Sequence, residues 1–270
     1  MSGLVIRGVK DLNYWLWSSI VNKRFDDEIA FTYLMYDLNY ELGNTEAYFV
    51  ISDATLKAFI LIWRNASVHM WGCDEYLSEL IKYVPISSDK LYIQTYSNGV
   101  VNDVINYVSR YYGKVDVIEF IDMITDERSF RPYKPELAVK LSSDKENHVK
   151  ELAKVLKELK GSEVSPGEAK ELLSNLTYYG IFINDELVSI ANTYVRTKEL
   201  WLVGSVYTKP EFRGRGYAKA VTSAVTEVAI KAGAKAALHV REGNIPAIKA
   251  YERIGYRRLR KRKWIICSKQ

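Results

Sequence analysis

Two stretches of the chain carry the same rhythm of apolar and polar positions. "AYFVISDATLKAFILIWRNASVHMWG" (47–72) reads as three β-runs of aromatic and branched residues, broken at Ser52-Asp53 and Arg64-Asn65. "YYGIFINDELVSIANTYVRTKELWLVG" (178–204) reads the same way, with breaks at Asn184-Asp185 and Thr197-Lys198. Turn-forming residues between such runs predict meanders. Helical periodicity precedes each. It covers 26–42 in the first half and "KENHVKELAKVLKEL" (145–159) in the second, where Val149, Leu152, Val155, Leu156 and Leu159 share a stripe. A further helix and a strand follow each meander, "KLYIQTY" (90–96) and "AALHVRE" (236–242). Superimposed, Asp53 falls on Asp185, Arg64 on Arg196 and Gly72 on Gly204, which predicts two copies of one supersecondary unit. The linker signal is "RPYKPE" (131–136), so a boundary is expected near residue 133, with domains 1–132 and 133–270.

The halves diverge after the third run. In the first, "GCDEYLSELIKYV" passes from strand to helix with Asp74 as the expected N-cap. In the second, "PEFRGRGYAKA" (210–220) places two glycines and two arginines where a helix pattern begins. Helix starts leave amides unpaired and carry partial positive charge, so they attract anions. Glycine at 214 and 216 lets backbone wrap a phosphate, and Arg213 and Arg215 add charge-assisted bonds. The helix that follows has Val221, Val225, Val228, Ala229 and Ala232 as its apolar stripe and Gly233 as its stop.

Composition narrows the class. Hydrophobic residues are 48% and charged residues 26% of 270, the balance of a globular protein. No stretch approaches the ~20 apolar residues of a membrane span, and the start lacks the marks of a secretory leader. Two distant cysteines and three histidines without i,i+4 spacing predict neither disulfides nor a metal site, and point to the cytoplasm. A net charge of +5 suits a polyanionic small ligand and does not by itself imply nucleic acid. Glutamine occurs at Gln94 and Gln270 alone while lysine and glutamate abound, the bias of a thermophilic source.

Two nucleotide signatures fail. A dinucleotide fingerprint wants glycine or alanine where Lys219 stands, and a P-loop wants a GK[ST] that is missing. What fits is R-x-x-G-x-A from Arg213 through Gly216 to Ala218, with "VYTKPEF" before it and "ALHVREGNIPAIKAYERIGY" (237–256) after it. In that order and spacing, these segments resemble the acyl-CoA site of the GNAT superfamily of N-acetyltransferases, most strongly over 186–257. In outline the chain is similar to the two-lobed glycine N-acyltransferase-like group.

The resemblance implies an α/β (α+β) protein of two tandem lobes, each a mixed, mostly antiparallel twisted sheet flanked by helices. The first lobe would be degenerate, without the phosphate turn; the second would be the working N-acetyltransferase domain. It implies acetyl-CoA or another acyl-CoA as co-substrate, no metal, and direct transfer to a primary amine on a small molecule or protein. Ser205, Val206, Tyr207 and Thr208 would run beside pantetheine, with a bulge near Gly204 and the Val206 amide polarising the carbonyl. Arg213, Gly214, Arg215, Gly216, Tyr217 and Ala218 would hold the diphosphate. Asn244, Ala247 and Tyr251 would line the sulfur end, Asn244 also capping its helix. Tyr251 would act as general acid, since a phenol of reference pKa ~10 is protonated at neutral pH.

The base stays open among Glu199, Ser205 through a water, and His239. A non-catalytic acyl-CoA sensor is the alternative reading. The basic run "RRLRKRK" (257–263) reads as a protected edge strand; it lacks the interleaved aromatics of a nucleic-acid surface.

Overall fold

The structure, a computed structural model, describes residues 5–24, 26–53 and 55–269. The first four residues and Ala54, inside the 47–72 segment, lie outside the described residues. The chain divides into two compact units, one running to Ile121 and resuming at Arg260, the other Asp122–Leu259.

The first unit contains β1 (Val5–Gly8), α1 (Tyr14–Lys23), α2 (Glu28–Tyr40), β2 (Thr45–Ser52), β3 (Thr55–Trp63), β4 (Ser67–Gly72), α3 (Asp74–Ser78), β5 (Lys90–Thr95), α4 (Val100–Val108) and most of β6 (Lys114–Thr125). The second contains β7 (Val139–Lys140), α5 (Glu146–Lys160), α6 (Pro166–Asn175), β8 (Thr177–Ile183), β9 (Glu186–Arg196), β10 (Leu200–Thr208), α7 (Tyr217–Lys231), β11 (Lys235–Arg241), α8 (Ile245–Arg253) and the start of β12 (Arg257–Ser268). Strand order in the first unit is β1-β2-β3-β4-β5-β12-β6, and in the second β6-β11-β10-β9-β8-β7. The strands from β1 to β4 and from β7 to β10 pair antiparallel, as does β12 with β5, and a parallel pair stands in the matching place of each unit, β4 with β5 and β10 with β11. The fold class is the one expected: two lobes, each a mostly antiparallel sheet flanked by helices.

Both meanders form at the expected breaks. Asn184 and Asp185 take φ of 48° and 64°, and Arg64 and Asn65 take 49° and 52°, as tight hairpins require. The duplicated arginines behave alike, Arg64 lying over Trp63 at 4.6 Å and Arg196 over Trp201 at 5.6 Å. Apolar periodicity sets the cores. Ile60, Val68, Met70, Ile93 and Val104 fill the first unit, while Leu152, Val155, Leu156, Leu187 and Ile190 fill the second.

Three readings are revised. Leu159, placed on the buried stripe of α5, is 38% exposed, because the stripe has turned outward by the last helical turn. Ala232 is exposed beyond the end of α7. Asp74 is the first residue of α3 rather than its cap. Cys73 holds the cap position, and the Asp74 carboxylate instead accepts from the Val100 amide at 3.2 Å, at the start of α4. The compact units part inside β6, ahead of the proline segment, and residues from Arg260 join the first unit because β12 pairs with β5 there.

Candidate active site

The site grows from an irregularity in β10. Against β9, Gly204 pairs with Asn192 and Tyr207 with Ile190, so Ser205 and Val206 together oppose one residue. That is a bulge. Ser205 takes φ 49°, a left-handed conformation rarely adopted by side chains other than glycine, asparagine or aspartate. Gly204 lies beneath it with no room to spare, since a Cβ there would stand 2.8 Å from the Tyr194 ring. On the opposite edge, β10 pairs with β11 from Leu200–Lys235 to Val203–Leu238. Past that point, within the described residues, Gly204, Tyr207 and Thr208 pair with β9, and none of Gly204–Thr208 pairs with β11. The strands therefore part where the bulge begins, leaving backbone groups of β10 facing a slot.

Beyond the slot the chain makes the glycine turn. Gly214 and Gly216 take φ of 78° and 84°. Gly216 is the cap of α7, with no side chain to satisfy the first helical amides, and the Ala220 amide takes its carbonyl at 3.1 Å. A Cβ at Gly214 would meet open space, whereas one at Gly216 would lie 2.9 Å from the Tyr133 hydroxyl. Arg213 is anchored by its Nε, which donates to the Thr208 carbonyl at 3.0 Å, and Arg215 donates to the Glu211 carbonyl at 3.4 Å. Arg213, Gly214 and Arg215 are exposed, and Gly216, Tyr217 and Ala218 half-buried. Cationic side chains, glycine backbone and an uncapped helix start thus converge on one exposed turn. This fits a diphosphate.

Two predicted side chains serve the scaffold. The Tyr207 hydroxyl donates to Glu158 at 3.1 Å, and burial together with that carboxylate pushes its phenol up. The Thr208 hydroxyl bonds to Ser189 at 2.8 Å. Their contribution to the slot is through backbone.

The residues expected at the sulfur end sit on α8 and its cap. Asn244 caps it, accepting from the Ala247 amide at 3.3 Å, and Pro246 follows in the first turn. Ala247 is half-buried. Tyr251 is 7% exposed, and burial raises its phenol well above the ordinary value, so it stays protonated. The Gly-Tyr pair that follows is structural. Gly255, at φ 98°, backs onto the carbonyl of Ser129, and the Tyr256 hydroxyl bonds to Thr226 of α7 at 2.7 Å.

The candidate bases separate. Glu199 is exposed at the opposite end of β10 from Ser205, about 20 Å away at 3.3 Å per residue. His239 follows Leu238, the last β11 residue paired with β10, and its Nδ1 lies 2.8 Å from Asp122 Oδ1. Neither Asp122 nor Tyr133 carried a local sequence signal. Tyr133 joins the turn because its amide donates to Ser223 of α7 at 3.0 Å and its ring lies under Lys219 Nζ at 3.8 Å.

Residues 178–265 match the family model described as "FR47-like protein". No curated protein matches. Among solved structures, a Drosophila protein superposes with a TM-score of 0.69 at 14% identity, covering 98% of this chain and 99% of its own. A tandem GNAT protein from the clavulanic acid biosynthesis pathway gives 0.60 at 10% identity, with 98% of each chain covered. A GNAT-family acetyltransferase from Colwellia psychrerythraea gives 0.56 at 12%, covering 98% of this chain and 100% of its own. The chain has the fold of the GNAT acetyltransferases, and the tandem relative has the same two-lobed extent. Among the described residues, no helix is long and apolar enough to cross a membrane.

Proposed function

We propose that the second lobe binds an acyl-CoA and transfers its acyl group to a primary amine, with acetyl-CoA the simplest donor. One observation carries the reading: a bulged strand leaves its neighbour directly before an uncapped, glycine-lined helix start. The relatives of GNAT fold support it, since the same fold is named for acetyl transfer in them.

The bound thioester supplies an activated acyl carbon; the chain supplies its placement. Backbone of Ser205–Thr208 lies along the slot for pantetheine, and the Val206 amide is the donor suited to a carbonyl oxygen that gains charge. Amides from Gly214 to Ala218, with Arg213 and Arg215, hold the diphosphate. Asn244 and Ala247 flank the sulfur end, where Tyr251 donates a proton to the departing sulfur. In this reading 133–270 is the working N-acetyltransferase domain and 1–132 a degenerate copy, since α3 spans five residues where α7 spans fifteen. In this reading the chain is of the two-lobed glycine N-acyltransferase-like kind.

The test is thiol release from acetyl-CoA with a panel of primary amines, beside coenzyme A binding to the wild type and to Arg213→Ala. Turnover with at least one amine, and coenzyme affinity lowered roughly tenfold or more by Arg213→Ala, are expected. Tight binding without thiol release from any amine contradicts acyl transfer and favours a sensor.

A further inference from the structure

We infer that His239, held by Asp122, takes the proton from the attacking amine; this rests on the acyltransfer reading above. An alkylammonium has a reference pKa of ~10.4, so a nitrogen that attacks a thioester must shed its protons to something at neutral pH. Imidazole is the side chain whose basicity suits that task.

Three observations favour His239 for this role. It is the first residue of β11 beyond the last pair with β10, level with the point where the strands part. Its side chain is 6% exposed, and its Nδ1 lies 2.8 Å from the Asp122 carboxylate, which is 0% exposed. Asp122 stands on β6, the strand next to β11, so both partners sit on rigid sheet rather than on loops. A carboxylate accepting from Nδ1–H fixes the tautomer, leaves Nε2 as the basic nitrogen, and stabilises the imidazolium that forms. Of the three candidate bases, Glu199 lies at the far end of β10 from the bulge, and the Ser205 side chain is hydrogen-bonded to the Tyr178 phenol rather than to a carboxylate that would raise its basicity.

The step balances. The nitrogen–carbon bond forms as the carbon–sulfur bond breaks; the amine proton passes to His239 Nε2, and the Tyr251 hydroxyl proton passes to the sulfur. A proton then returns from His239 to Tyr251 through solvent. The ammonium gives its first proton to solvent before attack, so the products are an amide, a free thiol and that one released proton, with no change in electrons.

A pair that merely joined β6 to β11 would affect stability and leave the chemistry of the bound complex intact. The full chain, acetyl-CoA and four amines (glycine, phenylethylamine, spermidine and a lysine peptide) separate the two cases. His239→Ala should lower kcat about 100-fold or more while coenzyme A affinity stays within about threefold. Added imidazole should restore roughly tenfold to His239→Ala and nothing to Tyr251→Phe. If His239→Ala does not fold, His239→Gln decides, with the same expected loss. Ring nitrogen NMR of the free protein should show Nδ1 protonated and Nε2 bare, with the Nδ1 proton moved in Asp122→Asn. A folded His239 variant with kcat within about threefold of wild type, or a ring protonated at Nε2, overturns the inference alone. Wild type that binds coenzyme A but releases no thiol with any of the four amines overturns the acyltransfer reading, and the inference with it.

Discussion

Replacing Gly216 by alanine isolates the turn proposed to hold the coenzyme diphosphate. At φ 84° a residue with a Cβ is strained by roughly 1–2 kcal/mol. The new methyl would also lie 2.9 Å from the Tyr133 hydroxyl, so that ring must swing aside. In moving it gives up the Lys219 ammonium over its face at 3.8 Å, worth about 0.5–1 kcal/mol for a half-buried pair that solvent still reaches. The sum is a loss of roughly 2 kcal/mol in denaturant unfolding. Gly214→Ala is the matched control, because its φ of 78° brings the same strain and its Cβ meets open space. It should lose about 1 kcal/mol and leave Tyr133 in place. Titration calorimetry with coenzyme A should show affinity falling at least about tenfold in Gly216→Ala, beyond the fall in Gly214→Ala. Equal stability and equal affinity in the two variants would refute the account of the turn.

Tyr251→Phe should lower kcat about 100-fold while coenzyme A affinity stays within about twofold; equal loss of both would mean that the ring packs and does not donate. Gly255→Ala should cost roughly 3 kcal/mol, from left-handed strain and a methyl driven into the Ser129 carbonyl, and a near-neutral result in denaturant unfolding would contradict that packing. Asp37 on α2 has its carboxyl pushed from an ordinary 3.8 up to about 7, first by burial and then by Glu41. The folded state therefore keeps a proton that the unfolded chain has released. The contribution of Asp37 is full below about pH 4 and is lost as pH rises to about 7, by at most roughly 4 kcal/mol. Asp37→Asn should flatten that fall, and unchanged pH slopes between pH 4 and 8 would contradict it.

What could be read from the sequence was what local chemistry dictates. Asp53, Arg64, Asn65, Asn184 and Asp185 mark turns because polar residues in left-handed backbone end a β-run, and all five take positive φ. The bulge was expected near Gly204 and stands at Ser205 and Val206. Helix α6 escaped notice because it opens on Pro166-Gly167, which reads as a turn. Ser165 and Glu168 nonetheless form a capping box that marks its start. Asp74 was placed at the nearest helix because its actual partner, the Val100 amide, lies across a strand and a loop. The pairing of β12 with β5 and of His239 with Asp122 joins residues separated by more than a hundred positions. Periodicity carries no information about such partners, so the unit division and the held histidine emerge from the sheet alone.

The most direct measurement is an amide-resolved NMR titration of the full chain with coenzyme A, and with inorganic pyrophosphate as a fragment of it. The account predicts that both ligands move the amides of Gly214, Arg215, Gly216, Tyr217 and Ala218 most, and that coenzyme A alone also moves those of Ser205, Val206 and Tyr207. Saturable binding that leaves the Gly214–Ala218 amides unmoved would contradict it.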